Sequence, residues 1–474
     1  MSLHGDRRAR ACVCWIALAV AAPLGVRAEE SVATEEQVER AEAAEKEVLP
    51  EDEFRELTDE APLTEDQERE RKEQEAEAER TAAIRGPTYE ELHPEELNLF
   101  WSRGIRLERN DKRFRMKIGG RLQLDQAWIR GDSSIRGSGL DDETDYEVRR
   151  GWLDVSGVVR DRFIYQAQID LAGNSSGDDD RNRYIRQLYA GWTRPGTLDG
   201  VRVGFTKEPF AMAETTSSTA TAMMERPLPM VFAPNYNLGI LLNSQVLDRR
   251  VSGWVGAFRY SGRGGGGKRL NLTARVTALP WTRDEDAKLL HVGLSYSHQF
   301  RSDFDVRYRR RPEAHLADRY VDTGDIASDG VDLFGAEAAF KWHSWAVQAE
   351  FTGSRVEGHD RDDVAFWGSY AVVTWMVTGE ERIYRRRRGT FGNVAPDRPF
   401  DPASGGWGAF ELSARFSYLD LDNRDVRGGT LNSYTLGATW HLTANHQLSG
   451  NWVRPHLHGV GNSNVFQLRF QLNY

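Results

Sequence analysis

From residue 112 onward, hydrophobic and polar positions alternate with a period of two. Across 114–128, Phe114, Met116, Ile118, Gly120, Leu122, Leu124, Gln126 and Trp128 share one face, while Arg115, Lys117, Arg121, Gln123 and Asp125 occupy the other. One apolar and one polar face is the signature of an extended strand. The pattern returns at 163–171, with Phe163, Tyr165, Ala167, Ile169 and Leu171 set against Gln166, Gln168 and Asp170. It returns again in Tyr434, Leu436, Ala438, Trp440 and Leu442, and most cleanly at the C-terminus, in Phe466, Leu468, Phe470, Leu472 and Tyr474.

A soluble sandwich would also alternate. Length breaks the tie, because many segments run for about ten residues or more before turning at Gly, Asn or Asp, as strands tilted across a bilayer do. Roughly sixteen such segments fit between 112 and 474, the even number that bacterial single-chain barrels require. Closure leaves no sheet edge in lipid. The expected fold is therefore all-β: a 16-stranded antiparallel transmembrane β-barrel, apolar side chains outward and Arg, Gln and Ser side chains lining a wet interior. If the chain enters from the periplasmic side, the long connections after strands five (208–235), nine (302–330) and thirteen (422–428) fall on the outer side. The connection after strand twelve, 379–406, is then periplasmic and long for a turn.

Ahead of the barrel the pattern is different. Residues 1–28 combine Arg7, Arg8 and Arg10, an apolar stretch and a Val26-Arg27-Ala28 end, the three parts of a secretory signal peptide cleaved after Ala28. Residues 29–85 form an acidic extension, helical, coiled-coil or disordered, with Pro50 and Pro62 interrupting any continuous rod. Residues 86–111 read as a linker beginning at Gly86-Pro87, with a short helix around 92–101, and 112–474 as the barrel.

Charge follows the same division. The chain carries a formal charge of -10, but residues 29–85 hold 22 acids against 8 bases. The barrel region is close to neutral, so a preference for anions depends on where its arginines sit. Cys12 and Cys14 lie within the leader, which leaves the exported chain without thiol or Cys-ligated metal chemistry.

Basic residues are the candidate chemistry. Arg121 lies on the inward face of the first strand, and Arg149-Arg150 opens the second. Parity places Arg150, Trp152, Asp154 and Ser156 inward and puts Arg149 at a strand end or interface. Arg307, Arg309 and Arg311 alternate on one face at roughly 7 Å spacing, a row able to pass an anion between planar guanidinium forks; the plainer reading pairs them with lumen carboxylates. The run Arg385, Arg386, Arg387, Arg388 is either a periplasmic anion funnel or a surface run facing acidic partners. Enzyme signatures such as GxSxG, a P-loop or HExxH are missing from the sequence. His456 and His458 read as solvated residues near a turn, so no metal, cofactor or nucleic-acid partner is expected.

The segments FRMKIGGRLQLD (114–125), VRRGWLDVSG (148–157), Ser217-Ser218, Met224-Glu225-Arg226, the arginine row ending RPEAH and Val377-Thr378-Gly379-Glu380 occur in an order that resembles the phosphate-selective porins of the O and P type. The resemblance covers nearly all of 112–474. It implies a homotrimeric channel in the outer membrane of a Gram-negative-type bacterium, passing small anions such as phosphate, with loops folded into the lumen. It further implies Arg121, Arg149 and Arg150 at a constriction, Arg226 in the inward loop after strand five, and an arginine ladder at 307–311. Against that pattern, Glu214 replaces a lysine, Arg186 an aspartate and Trp152 a tyrosine. A carboxylate in a narrow pore turns a well for dianionic phosphate into a barrier, and Arg186 compensates. The competing function is a structural barrel whose acidic arm tethers it to cell wall or periplasmic partners.

Overall fold

A computed structural model describes Phe54 and residues 93–140, 142–172, 184–194, 197–259 and 269–474. The leader, the acidic extension apart from Phe54, and the Gly86-Pro87 hinge lie outside the described residues.

Sixteen long strands succeed one another: β1 (Phe114–Gly131), β2 (Glu143–Val159), β3 (Phe163–Asp170), β4 (Ile185–Thr193), β5 (Gly200–Lys207), β6 (Tyr236–Val246), β7 (Val251–Arg259) and β8 (Arg269–Arg283), then β9 (Lys288–Val306), β10 (Ile326–Trp342), β11 (Trp345–Gly358), β12 (Val364–Met376), β13 (Ala409–Asn423), β14 (Val426–His441), β15 (His446–Leu457) and β16 (Gly461–Asn473). Each pairs antiparallel with the next. β16 then pairs with β1, from Ser463 opposite Gly131 to Asn473 opposite Arg121, and closes the barrel. Tyr474 finishes the seam: its N–H donates to the Gly120 carbonyl at 3.0 Å and its carbonyl accepts from the Gly120 N–H at 2.7 Å.

Closure decides which face meets what. Along β1, Arg115, Lys117, Arg121, Gln123 and Asp125 are buried, whereas Leu124 and Trp128 are exposed. This inverts the soluble rule and is what a barrel in lipid requires. Outward aromatics gather in two bands. One contains Trp345 stacked on Trp375 (5.1 Å) and Phe410 on Trp440 (5.5 Å); the other contains Trp367 against Tyr418 (4.9 Å) and Phe351 (5.9 Å). Trp367 and Trp375 are eight residues apart on β12, about 26 Å along a strand and about 20 Å in height at a tilt of about 40°, most of an apolar band of roughly 25 Å.

Three elements differ from the sequence expectation. The segment expected as a short helix is a β-hairpin, Leu97–Trp101 with Ile105–Arg109. It pairs with β1 from Ile105 opposite Ile118 to Glu108 opposite Arg115, continuing the wall where β16 has ended. An open strand edge was available there, and Gly104 (φ 128°) makes the turn so tightly that a Cβ would lie 2.7 Å from the Ile118 carbonyl. The connection after β13 is a two-residue turn, Arg424 and Asp425, with Arg424 at φ 52°, because β13 and β14 continue pairing to Asn423 and Val426. The interior is also not wholly wet. Phe210, Leu228, Phe232, Tyr308, Val331, Leu333 and Phe366 form part of one buried apolar cluster between the wall and the connections 208–235 and 307–325.

Candidate functional site

The connection 208–235 reads FAMAETTSSTATAMMERPLPMVF over 210–232. So apolar a segment does not stay in water, and it folds inward. Its backbone groups need partners inside the lumen, and the barrel wall supplies them. Glu350 of β11 accepts from the N–H of Met212 and of Ala213, both at 2.7 Å, at the start of the one-turn helix Met212–Thr215. Gln348 Nε2 (2.9 Å) and Tyr370 Oη complete four donors on that carboxylate. Those bonds hold Ala211 at φ 59°, ψ 143°, a conformation that favours glycine. Inward glycines give the loop its seat: a Cβ at Gly368 would lie 3.2 Å from Pro229, and one at Gly437 would lie 2.8 Å from the Met223 sulfur.

Arg226 braces the loop from within, its Nε donating to the Ala213 carbonyl (3.0 Å) and its Nη2 to those of Glu214 (3.0 Å) and Thr216 (2.9 Å). Glu214 is ion-paired with Lys207 at 2.8 Å and Arg226 at 3.1 Å. Glu225 receives Arg149 through two bonds (2.9 and 3.1 Å) and Arg469 through one (2.8 Å). Burial opposes the charge on both glutamates. For Glu225 the Arg149 and Arg469 guanidiniums outweigh it and hold the carboxyl well below the ordinary 4.5; for Glu214, Arg226 and Lys207 do the same more weakly.

Facing this loop, β1, β2 and β4 bring Arg121, Arg150 and Arg186 around one indole. Their guanidinium carbons lie 4.5, 5.8 and 4.7 Å from the Trp152 ring centre. Arg121 donates to Ser218 Oγ (2.6 Å) and Ser217 Oγ (3.4 Å) of the inward loop, and Arg150 to Gln123 Oε1 (2.6 Å). Arg186 also stacks on Tyr236 at 4.6 Å. Arg149 is not at a strand end or interface. A β-bulge sets Gln123 opposite Arg150 and Leu124 opposite Val148, so Arg149 is the extra residue and both adjacent arginines point inward, 2% and 5% exposed.

The row Arg307, Arg309 and Arg311 lies on the connection between β9 and β10, not on a barrel strand. Arg307 is ion-paired with Asp322 (2.6 Å), Arg309 sits in a two-residue bridge opposite Asp322, and Arg311 Nε donates to the Ala317 carbonyl at 2.8 Å. Arg310, on the other parity, reaches the carbonyls of Arg226 and Pro227, both at 3.0 Å. The structure therefore gathers Arg121, Arg149, Arg150, Arg186, Trp152, Glu214 and Arg226 at one level, and places Arg307 apart from them at a mouth, 41% exposed.

The connection 377–408 folds inward from the opposite end. Arg382 is paired with Glu411 and donates to the Ala220 carbonyl of the other inward loop at 2.9 Å. Arg385 is buried, and Arg386 makes two 2.7 Å bonds to Asp286. The run 385–388 is thus neither a free funnel nor an exposed surface run. Sequence reasoning gave no role to Arg469 and Glu225, nor to Arg415 and Glu313, which form an ion pair at 2.7 Å. Arg469 stood on the polar parity with Gln467 and Gln471, a signal sufficient to find it.

A family model described as "Phosphate-selective porin O and P" matches residues 116–474. Porin O of Pseudomonas aeruginosa is 23% identical over 398 residues, 76% of this chain and 87% of that protein. A protein of Caulobacter vibrioides described as uncharacterized is 27% identical over 366 residues, 72% of this chain and 68% of that one. Among solved structures, the loop L8 deletion mutant of OmpT, an outer membrane protein of Vibrio cholerae, matches with a TM-score of 0.50 at 9% identity, covering 76% of this chain and 100% of that chain, a likeness of fold.

Proposed function

The chain belongs to the phosphate-selective porin O and P family, and from that premise we propose that this outer-membrane channel selects small anions, phosphate among them, at the constriction built on Trp152. The observation that carries the reading is the gathering of Arg121, Arg150 and Arg186 on one aromatic ring beside the inward loop. Three like charges so close repel one another, and an anion in their midst relieves that repulsion. Guanidinium forks also suit the oxygens of phosphate.

Glu214 does not raise the barrier that its position alone suggests. Lys207 and Arg226 both neutralise it at ion-pair distance, so the residue that replaces a lysine brings its own countercharge. Selectivity in this reading comes from Arg186 and Arg150 instead, and phosphate competes with chloride without excluding it. Strands β3 to β7, the shortest of the sixteen at 8 to 11 residues, form the low side of the wall. Their exposed Ile169, Leu188, Trp192, Val203 and Ile240 support assembly with two further copies around that side.

Reconstituted protein in a planar bilayer tests the proposal. Under a potassium chloride gradient the reversal potential should favour chloride, and millimolar phosphate should reduce chloride current in a saturable way. Potassium selectivity would remove the anion reading. Open anion channels indifferent to phosphate would remove phosphate alone, and silence in the bilayer would favour a structural barrel.

A further inference from the structure

The outer surface of the wall changes character at one height around the closing seam. On β15, β16 and β1 the outward side chains are largely apolar and end in an aromatic row, Trp452 opposite Phe466 and Phe466 opposite Trp128. Two residues nearer the turn between β15 and β16, the same parity turns polar. Arg454 lies opposite Tyr434 of β14, and Asn464 lies opposite Arg130 of β1. The register that sets Val453 opposite Val465 and His456 opposite Asn462 also puts Arg454 beside Asn464. Arg454, Asn464 and Arg130 thus form a second row across three neighbouring strands, with the two arginines about 10 Å apart at the backbone.

Carboxylates are missing from this part of the outer face. β14, β15 and β16 contain no Asp or Glu, and Asp125 of β1 faces the lumen, where Arg469 holds it at 2.6 Å. Arg454 is exposed and makes no hydrogen bond or ion pair with the described residues. Arg130 donates to neutral oxygens, the carbonyls of Ile129 (2.7 Å) and Glu143 (3.2 Å) and the Thr144 hydroxyl (3.2 Å). Asn464 Oδ1 accepts the Trp452 indole N–H at 3.3 Å, which leaves the amide N–H2 as a donor. The acids at the margins are engaged. Asp132, past the end of β1, accepts from the N–H groups of Ser134 (3.0 Å), Ile135 (2.9 Å) and Asn462 (2.8 Å), and Asp420 of β13 from the Asp422 N–H (3.0 Å) and the Thr430 hydroxyl (3.3 Å).

We propose that this row binds the phosphate of a membrane lipid headgroup, whose acyl chains lie along the aromatic row beside it. Arg454 and Asn464 supply the hydrogen bonds and Arg130 a second positive charge. A guanidinium fork matches two phosphate oxygens, and Trp side chains mark the headgroup level of a bilayer. The occupant is a lipid and not a soluble anion because the row stands on the outer surface of the wall, where Trp452, Phe466 and Trp128 offer apolar area to a hydrocarbon chain. The row also lies outside β3 to β7, so assembly of copies around that side leaves it facing lipid.

Native mass spectrometry of the full chain, released from mixed micelles holding equal amounts of phosphatidic acid and phosphatidylcholine, counts the lipid retained. Phosphatidic acid should be retained in preference. Arg454→Gln should lower that retention about five-fold, the worth of one arginine near an anionic headgroup. Asn464→Ala, which leaves every charge in place, should lower it as well. Arg427→Gln removes an exposed arginine at the start of β14, outside the row, and should change nothing. Equal retention of the two lipids, or equal losses for Arg454→Gln and Arg427→Gln, would reduce the row to diffuse surface charge and overturn the inference. Inorganic phosphate added at the concentration of the lipid should not displace it; full displacement would make the occupant a soluble anion and overturn the assignment to lipid.

Discussion

What a lumen arginine can offer an anion depends on what it already holds. Arg149 and Arg469 grip Glu225, Arg469 also holds Asp125 at 2.6 and 2.7 Å, and Arg226 is bonded to three loop carbonyls. Arg150 instead donates to the neutral Gln123 and shares Trp152 with Arg121 and Arg186. Arg150→Gln should therefore lower chloride-over-potassium permeability about five-fold, the effect of roughly 1 kcal/mol from one unit charge at a few ångströms in partly hydrated surroundings. Arg226→Gln should act mainly through loop order, raising open-channel noise more than it changes the reversal potential. Acid has a distinct signature. Because Arg149 and Arg469 hold the Glu225 carboxyl well below 4.5, its contribution to loop order is complete above the ordinary glutamate value and is lost only as pH falls through the depressed one. The share of loop order that Glu225 supplies should therefore persist to about pH 4.5 and fail only in stronger acid; a Glu225→Gln channel with the same acid-induced noise as the unsubstituted one would remove that role. Strand parity made Arg121, Arg150 and Trp152 legible. Arg149 was not, because a bulge adds one residue and turns its parity around.

Among the elements, the strands were legible and the connections were not. Alternation reports a strand's two faces from local residues alone, which is why β1, β3, β14 and β16 stand close to where the sequence puts them. Where a connection packs depends on the wall it meets. The length and apolar character of 208–235 were visible, but its landing on Glu350, Gly368 and Gly437, contributed by three other strands, was not. The hairpin 97–109 answers to the free edge of β1, a feature that exists only after closure. Glu350 is the group on which the inward loop depends most, since its one carboxyl receives two loop backbone N–H groups as well as Gln348 and Tyr370 of the wall. Glu350→Gln presents an amide N–H2 where a donor already points, leaving a buried N–H unmatched at a cost of about 1–3 kcal/mol. The barrel should still fold, because that loss falls on a connection. Proteolysis within 208–235, undetectable in the unsubstituted protein, should become measurable, and the conductance distribution should broaden. A single sharp conductance level would show that the apolar cluster holds the loop without Glu350.

At the scale of the whole molecule, one physical choice organises the rest: water lies inside and lipid outside. The outward side chains in the middle of the strands are exposed on the outer surface of the wall. Their stability is therefore a transfer energy and depends on depth in the bilayer. Leu468 lies in the middle of β16, faces outward and is 53% exposed, with Arg469 beside it facing inward and 3% exposed. The two positions are one peptide apart and meet opposite solvents, so they separate membrane depth from strand propensity. Leu468→Arg should destabilise the barrel in lipid vesicles by about 2–4 kcal/mol, the cost of a cation at the bilayer midplane. In detergent micelles, where the headgroup region is close to every outward position, the same substitution should cost less. Arg469→Leu should cost stability in both media, because it leaves the Asp125 and Glu225 carboxylates without a shared partner. Equilibrium unfolding in vesicles and in micelles measures all four differences. An equal cost for Leu468→Arg in the two media would mean that this face does not meet acyl chains, and the orientation that puts arginines in the lumen would fall with it.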